Sequence, residues 1–570
     1  MFEGSLKSKG LLLGIFVLYA VLLLLTAQHM IVDGDEAKYY TTIKEVFPGY
    51  MAGVQAHPGS AGYFFYVING WWMSFAGVGY ENGRLLNVFM ALVSGLLMCY
   101  GLRSFFRSNI FPIVWLTAFA VNPYFLSHIV AISHCALSTN FLLMAIALTL
   151  LLINKSYLNE LNAVFVVVLI LIFVSVASNI RSHVMLAWLP HSLLILYLAR
   201  NRSRSFFGIS LVVFLLTIPL IFLDASWFIK QPLVTEVLQE HETEVLQEDK
   251  IKIAATHINQ TLFRTHELTQ KVLPSIDLLR VVGAIHALVV QTFGFKVNGQ
   301  HIFYFMVIGV ALFFRKQIAS DRKVLLYFCV VTCLFYVLAI FIVRYSQSTS
   351  YSYFFQPLQY LLVAAMVGVE VVRNKLYRHG NIFPQSALSL LLIFVMAQNF
   401  LFNRPDRFND SPTYSIYKRH GTLPSDQPTS IYNLKKTATS FNDIITDDQY
   451  FFSTNHYLSP LLSGRVFPGT NMNVHKDFFS RRNWEWVSGT DTMIINGKEV
   501  RRRDWEEYVL TPQFSSGGTN PAYIVRMIEN QRLFAIVDSG LLHADILPLV
   551  NEKYVVKESV GGFKLYVPRK

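Results

Sequence analysis

The chain has 570 residues, of which 53% are hydrophobic, 14% aromatic and only 15% charged. Soluble globular domains carry nearer a quarter of charged residues, so this balance excludes an ordinary soluble protein and points to a polytopic membrane protein. The formal charge of +12 does not call for nucleic acid, because Lys and Arg sit in short clusters between apolar runs, where cytoplasmic loops accumulate them.

The first apolar run, Leu11 to Met30, follows Lys7 and Lys9 and lacks a small-residue cleavage site, so it reads as a retained first helix with a cytoplasmic N-terminus. Directly after it stands Asp33-Gly34-Asp35-Glu36-Ala37-Lys38-Tyr39-Tyr40, three carboxylates and a lysine at the membrane edge. Further spans are predicted over 84–103, 111–128, 133–153, 161–178, 184–199, 206–223, 300–314, 324–343, 353–372 and 384–401, about eleven in all. With this count the clusters Arg103/Arg107, Lys155, Arg200/Arg202/Arg204, Arg315/Lys316 with Arg322/Lys323, and Arg373/Lys375/Arg378 share one side. Three outer segments remain: 31–83, 224–299 and the stretch from 402 onward. The short apolar run Val281 to Phe295 is read as interfacial or re-entrant, since a span there would invert every later cluster.

Within the first outer loop, Tyr63 to Tyr80 carries Trp71-Trp72 and suits a helix lying among the headgroups. The second outer loop holds a tandem octad, Thr235 to Glu242 and Thr243 to Lys250, read as a charged helix. From residue 402 the composition shifts to Asn, Asp, Ser, Thr, Pro and Gly between short apolar runs. Strands are predicted over 449–453, 492–495, 533–537, 554–558 and 563–567, and helices over 504–509, 521–530 and 541–550. The expectation is a soluble α/β domain over 402–570, behind a membrane domain over 1–401. The cysteines Cys99, Cys135, Cys329 and Cys333 all fall in apolar runs and read as structural. His128 and His134 read as packing or hydrogen-bonded histidines rather than metal ligands.

The order of the first loop resembles the GT-C superfamily of membrane glycosyltransferases, in the branch of the protein O-mannosyltransferases and the lipid A aminoarabinose transferases. Its parts are Asp35-Glu36, Lys38-Tyr39, His57-Pro58, an aromatic helix, and Arg84-Leu85 at the second span. Ser178-Asn179-Ile180-Arg181 and Arg344 with Tyr351, Tyr353 and Pro357 resemble the branch's later basic positions. Gly59 in place of a second proline, His57 in place of lysine, and the extra Asp33 depart from the pattern. The resemblance covers roughly the first 400 residues and implies a GT-C fold, with the α/β domain expected from the composition lying on the outer face. It implies transfer of a monosaccharide from a polyprenyl-phosphate donor, with inversion, to a lipid, glycan or protein acceptor on the outer face. It assigns catalysis to Asp35 and Glu36, and donor-phosphate contact to Lys38, Tyr39, His57, Arg84, Arg181 and Arg344. No cofactor is firmly implied; a divalent cation, if one takes part, would draw on Asp35, Glu36 and His57.

The chemistry also stands on the residues. A sugar on a phosphate carrier at the bilayer surface needs a carboxylate to deprotonate the acceptor hydroxyl and cations to stabilise the departing phosphate. Asp35 is the candidate base, acting alone rather than in the carboxylate pair of glycoside hydrolysis. Asp33 and Glu36 read either as loop acids or as partners turned inward to Lys38. Arg84 reads either as a headgroup anchor or as a phosphate ligand, and His57 as a phosphate contact, a metal ligand or a solvated loop residue. A transporter or flippase of a lipid-linked sugar would need ionisable groups deep in several spans, and these spans are nearly free of acids. A non-catalytic binding partner, or an oligosaccharide transferase or ligase of related fold, are the other readings. The cysteine-free outer segment suits a bacterial cytoplasmic membrane with a periplasmic domain, with an endoplasmic reticulum membrane as the other reading.

Overall fold

The computed structural model describes residues 6–29, 32, 34–46, 62–120, 123–154, 158–181, 184–222, 308–309, 311–343 and 355–377, and, nearer the C-terminus, 429–447, 449–454, 457–466, 484–486, 492–495, 498–501, 528–531, 533–540, 542 and 546–569. The expectations for 224–299, His57, Arg344, the span 384–401 and the helix 504–509 lie outside the described residues, as do most of the span 300–314 and of the helix 521–530.

Among the described residues, ten helices run through the first part: α1 (Leu6–His29), α2 (Gly34–Val46), α3 (Tyr63–Ala76), α4 (Tyr80–Phe106), α5 (Ile110–Ala120), α6 (Pro123–Val130), α7 (His134–Ile153), α8 (Glu160–Ile180), α9 (Met185–Arg200) and α10 (Arg204–Ile221). Helices α11 (Ser320–Val343) and α12 (Phe355–Tyr377) follow. Among the described residues, five helices are long and apolar enough to cross a membrane: Ser8–Gln28, Tyr80–Phe106, His134–Ile153, Glu160–Ile180 and Arg204–Ile221. Several start on caps legible in the sequence. Ser133 Oγ accepts from Ala136 N, Asn159 Oδ1 from Asn162 N, and Ser203 Oγ from Phe206 N, each satisfying an amide that the helix leaves unpaired.

The predicted span over 111–128 is two helices. α5 ends at Ala120 and α6 opens on Pro123, whose ring lacks a backbone N–H and suits a first helical position.

The centre of the bundle is α7, almost wholly buried, with α4 packed against it. Between apolar helices in a bilayer, close approach rests on small residues and interhelical hydrogen bonds. Here Gly101 brings α4 against the backbone of α7, and Ser94 Oγ donates to Asn140 Oδ1 at 3.0 Å. A Cβ at position 101 would stand 2.7 Å from the Ala147 carbonyl oxygen and 3.1 Å from its Cα. Gly101→Val is therefore expected to cost about 1–3 kcal/mol, read as a lower thermal midpoint of the detergent-solubilised protein.

At one end of the bundle Arg322 joins three helices. It donates to Glu370 on α12 (3.3 Å) and to the Phe105 carbonyl of α4 (2.7 Å), pairs with Asp321, and lies 4.5 Å from the Phe105 ring centroid.

The C-terminal elements are α13 (Ile431–Asn442), β1 (Tyr450–Ser453), a 3-10 turn (Ser459–Leu461), β2 (Arg465–Val466), β3 (Trp484–Trp486), β4 (Thr492–Ile495), β5 (Lys498–Arg501), β6 (Ala535–Asp538), α14 (Leu547–Lys553), β7 (Tyr554–Val560) and β8 (Phe563–Pro568). One sheet has the order β2-β1-β6-β8-β7, parallel across β2, β1 and β6 and antiparallel across β6, β8 and β7. β3, β4 and β5 form a separate antiparallel meander. The β7–β8 hairpin turns on Gly561-Gly562, with φ of 60° and 84°, the left-handed pair that a tight two-residue hairpin loop requires. Each of the five predicted strand segments overlaps an observed strand. The helix predicted over 541–550 lies later, at Leu547–Lys553, with Pro548 in its first turn.

Candidate active site

The acidic motif is not a loop. From Gly34 to Val46 it forms α2, and helical geometry sorts its residues into three stripes. Glu36, Tyr39, Tyr40 and Ile43 make one stripe, all buried. Ala37, Thr41 and Lys44 make the second, also buried. The Cα positions of Asp35 and Lys38 fall on the third.

Glu36 and Arg84 meet as a closed fork. Arg84 Nε donates to Glu36 Oε1 at 2.7 Å and Nη2 to Oε2 at 2.5 Å, while Nη1 donates to the Ala27 carbonyl at 3.0 Å. Ile132 N donates to Glu36 Oε1 at 3.0 Å. Arg84 is 0% exposed and Glu36 1%. One buried pair thus pins α2 to α1, to α4 and to the segment between α6 and α7. Of the two readings offered for Glu36, a loop acid or an acid turned inward, the structure shows the second, with Arg84 as its partner. Both assignments made from the resemblance, Glu36 to catalysis and Arg84 to phosphate, meet side chains already committed to each other. Glu36 was also one of the three expected cation ligands, and its two oxygens are the acceptors of this fork. Among the described residues no group of three or more His, Cys, Asp or Glu is placed to hold a metal ion.

Around the fork, Tyr39 packs edge-on to His134 (ring centroids 4.8 Å) and to Phe65 of α3 (5.4 Å). His134, at the start of α7, packs as the sequence suggests. The Tyr40 hydroxyl oxygen accepts from Gly79 N at 2.8 Å; burial pushes this phenol up, against the opposing effect of that bond, so it stays protonated.

Arg181 closes α8 as its C-terminal cap and is buried, within electrostatic reach of Tyr336 on α11. The same end of α8 receives the start of α3: Gly62 N donates to the Ile180 carbonyl (3.1 Å) and Phe64 N to Asn179 Oδ1 (3.0 Å). Asn179 Nδ2 donates to the Ile221 carbonyl of α10 at 3.2 Å. From the far side, Gln356 in the first turn of α12 donates to Ser138 Oγ (3.1 Å) and Thr139 Oγ1 (3.4 Å) of α7. Ile132, Val176 and Ile180 belong to the same buried apolar cluster as Tyr39, Tyr40, Ile43 and Phe65. α2 is therefore bedded on the ends of the bundle helices, with a buried guanidinium at the end of α8 beside the aromatic helix.

The structure thus pairs Glu36 with Arg84, seats Tyr39 on the same stripe of α2 against Phe65 and His134, and sets Arg181 at the α3–α8 junction. Sequence reading missed Lys44, Gly62 and Gln356. Lys44, between Ile43 and Glu45, looks like an ordinary surface lysine in the sequence, and the Leu462 carbonyl it meets lies 418 positions away.

No family model matches the chain and no curated protein matches it. Among solved structures it is similar to ArnT from Cupriavidus metallidurans in the apo state, at 12% identity and a TM-score of 0.55 over 98% of each chain. It is similar also to the same enzyme bound to undecaprenyl phosphate, at 12% identity and a TM-score of 0.52 over 97% of each chain. The chain has the GT-C fold. The GT-C likeness runs through the C-terminal elements as well as the bundle, since the alignment covers nearly all of both chains.

Proposed function

We propose that this protein is an inverting membrane glycosyltransferase. It takes a monosaccharide from a polyprenyl-phosphate donor and attaches it to a hydroxyl of a lipid, glycan or protein acceptor on the outer face of the membrane. The observation that carries the reading is the seating of α2: a helix bearing Asp35 and Lys38 is locked to the ends of the bundle helices by a fully buried bidentate pair, in a GT-C fold. A solved structure of that fold holds undecaprenyl phosphate.

On this reading Asp35 accepts the proton of the acceptor hydroxyl as its oxygen attacks the anomeric carbon from the side opposite the carrier phosphate. The sugar–phosphate bond breaks, its electrons pass to the phosphate oxygen, and the anomeric centre inverts. Lys38, Arg181 and Arg344 stabilise the charge that develops on the leaving phosphate, with Tyr39 and His57 as the remaining donor contacts. Glu36 and Arg84 hold α2 in place and touch neither substrate. Residues 1–401 are the transmembrane catalytic domain and 402–570 the extracytoplasmic acceptor-side domain. The N-terminus lies in the cytoplasm of a bacterial cell, so that the carrier delivers the sugar without a nucleotide site.

The test compares purified wild type with Asp35→Asn over a panel of polyprenyl-phosphate monosaccharides and native-membrane acceptors, measuring release of free polyprenyl phosphate. The expected result is turnover by the wild type and a loss of about 10²–10⁴-fold in the variant, with thermal midpoint unchanged. Full turnover by Asp35→Asn would remove Asp35 as the base.

A further inference from the structure

The C-terminal elements reach the candidate site at four points. Val32 N, two residues before α2, donates to the Thr429 carbonyl at 3.1 Å. Lys44, near the other end of α2, donates through Nζ to the Leu462 carbonyl just past the 3-10 turn. Tyr80, at the start of α4, donates through its hydroxyl to the Tyr457 carbonyl at 2.8 Å. Lys435 on α13 pairs with Glu81 at 2.6 Å. One apolar cluster contains Ala37, Tyr40, Ile43 and Tyr80 together with Ile431, Leu434, Leu458, Leu462 and Val466.

α2 is therefore held by two different parts of the chain: Glu36 bonds it to the bundle, and Lys44 bonds it to the C-terminal elements. Lys44 is only 4% exposed. Burying an ammonium is costly unless it meets an acceptor, and the carbonyl at the end of a helical turn is a suitable one, since such carbonyls lack an intrahelical partner and carry partial negative charge. A salt bridge at the surface would be worth little here; a buried, directed bond across 418 positions of chain sets where α2 sits.

We propose that Lys44 is a positioning residue for the transferase reaction: it fastens α2, and hence Asp35, to the C-terminal elements, making them a wall of the catalytic site rather than a detachable acceptor module. The inference rests on the transferase reading above and extends it. A shift of the base by even one ångström costs reaction rate far more than substrate affinity, so the contact acts on turnover.

The experiment uses the full-length protein in detergent, with Lys44→Met to remove the charge at similar length and Lys44→Arg to retain it. Hydrogen–deuterium exchange of the peptide spanning 34–46 is measured beside that of peptides from α4 and α7, and the kcat and donor KM are measured on whichever donor the wild type turns over. The expected result for Lys44→Met is faster exchange confined to 34–46 and a kcat lower by about 10–100-fold, with donor KM unchanged; Lys44→Arg restores both. Unchanged exchange at 34–46, or wild-type kcat in Lys44→Met, overturns the proposal. Exchange raised throughout the bundle overturns it too, since Lys44 would then serve the fold as a whole. Absence of Asp35-dependent turnover in the wild type strikes the transferase reading alone, and the exchange measurement then decides the docking by itself.

Discussion

Arg84→Met is expected to destabilise the protein by about 3–5 kcal/mol and to abolish transfer, because it strands the Glu36 carboxylate in a site where only 1% of that residue is exposed. Nothing can hydrate the abandoned charge without opening the contact between α2 and α4. Arg84→Lys keeps the charge but not the fork; an ammonium cannot reproduce donation to both carboxylate oxygens and to the Ala27 carbonyl along fixed directions. Its expected effect is a fall in kcat with donor KM nearly unchanged. The double variant Glu36→Met/Arg84→Met removes both charges, so it is expected to regain much of the thermal midpoint lost in Arg84→Met, yet to stay inactive because α2 is no longer oriented. Thermal unfolding followed beside polyprenyl-phosphate release separates the two roles. If Arg84 held the donor phosphate instead, Arg84→Lys would raise donor KM, and the double variant would regain no stability.

The parts of this molecule legible in the sequence are those where a residue's neighbours along the chain decide its state. Twenty apolar residues in a row have no good alternative to a helix in lipid, and so α4, α7, α8 and α10 lie where hydropathy puts them. Gly561-Gly562 between alternating runs marks the β7–β8 turn for a similar local reason. The break between α5 and α6 was equally local, carried by Pro123, but the apolar run hides it from a hydropathy window. What escaped is tertiary. Glu36 meets Arg84 across 48 positions and Lys44 meets Leu462 across 418. No periodicity reports that a conspicuous acid–arginine couple is spent on itself. The motif thus lies on the helix that is locked to the bundle, while the partner that turns Glu36 inward, Arg84, came only from the pairing.

Gly62→Ala is expected to be nearly as damaging as the loss of Arg84, although it adds a single methyl group. Position 62 needs no glycine for its backbone: φ of −90° and ψ of 179° are open to any residue. The constraint is space alone. A Cβ there would lie 1.8 Å from the Asn179 carbonyl oxygen, 2.6 Å from its carbon and 2.8 Å from Asn179 Oδ1. Two of those atoms belong to the backbone of α8, so no side-chain rotation relieves the overlap. α3 must back away, and in doing so it gives up the bonds from Gly62 N to Ile180 and from Phe64 N to Asn179, the contacts that set the aromatic helix against the end of α8 and its Arg181 cap. The expected outcome is a stability loss at or above the upper end of the 1–3 kcal/mol typical of overpacking, together with a raised donor KM if Arg181 holds the donor phosphate as proposed. Gly208→Ala supplies the contrast. Position 208 lies within α10 and a Cβ there meets nothing within 4 Å, so the same change is expected to leave KM alone and to stabilise the helix by about 0.5–1 kcal/mol. If Gly62→Ala behaved like Gly208→Ala in both thermal midpoint and donor KM, the docking of α3 on α8 would not be what places Arg181.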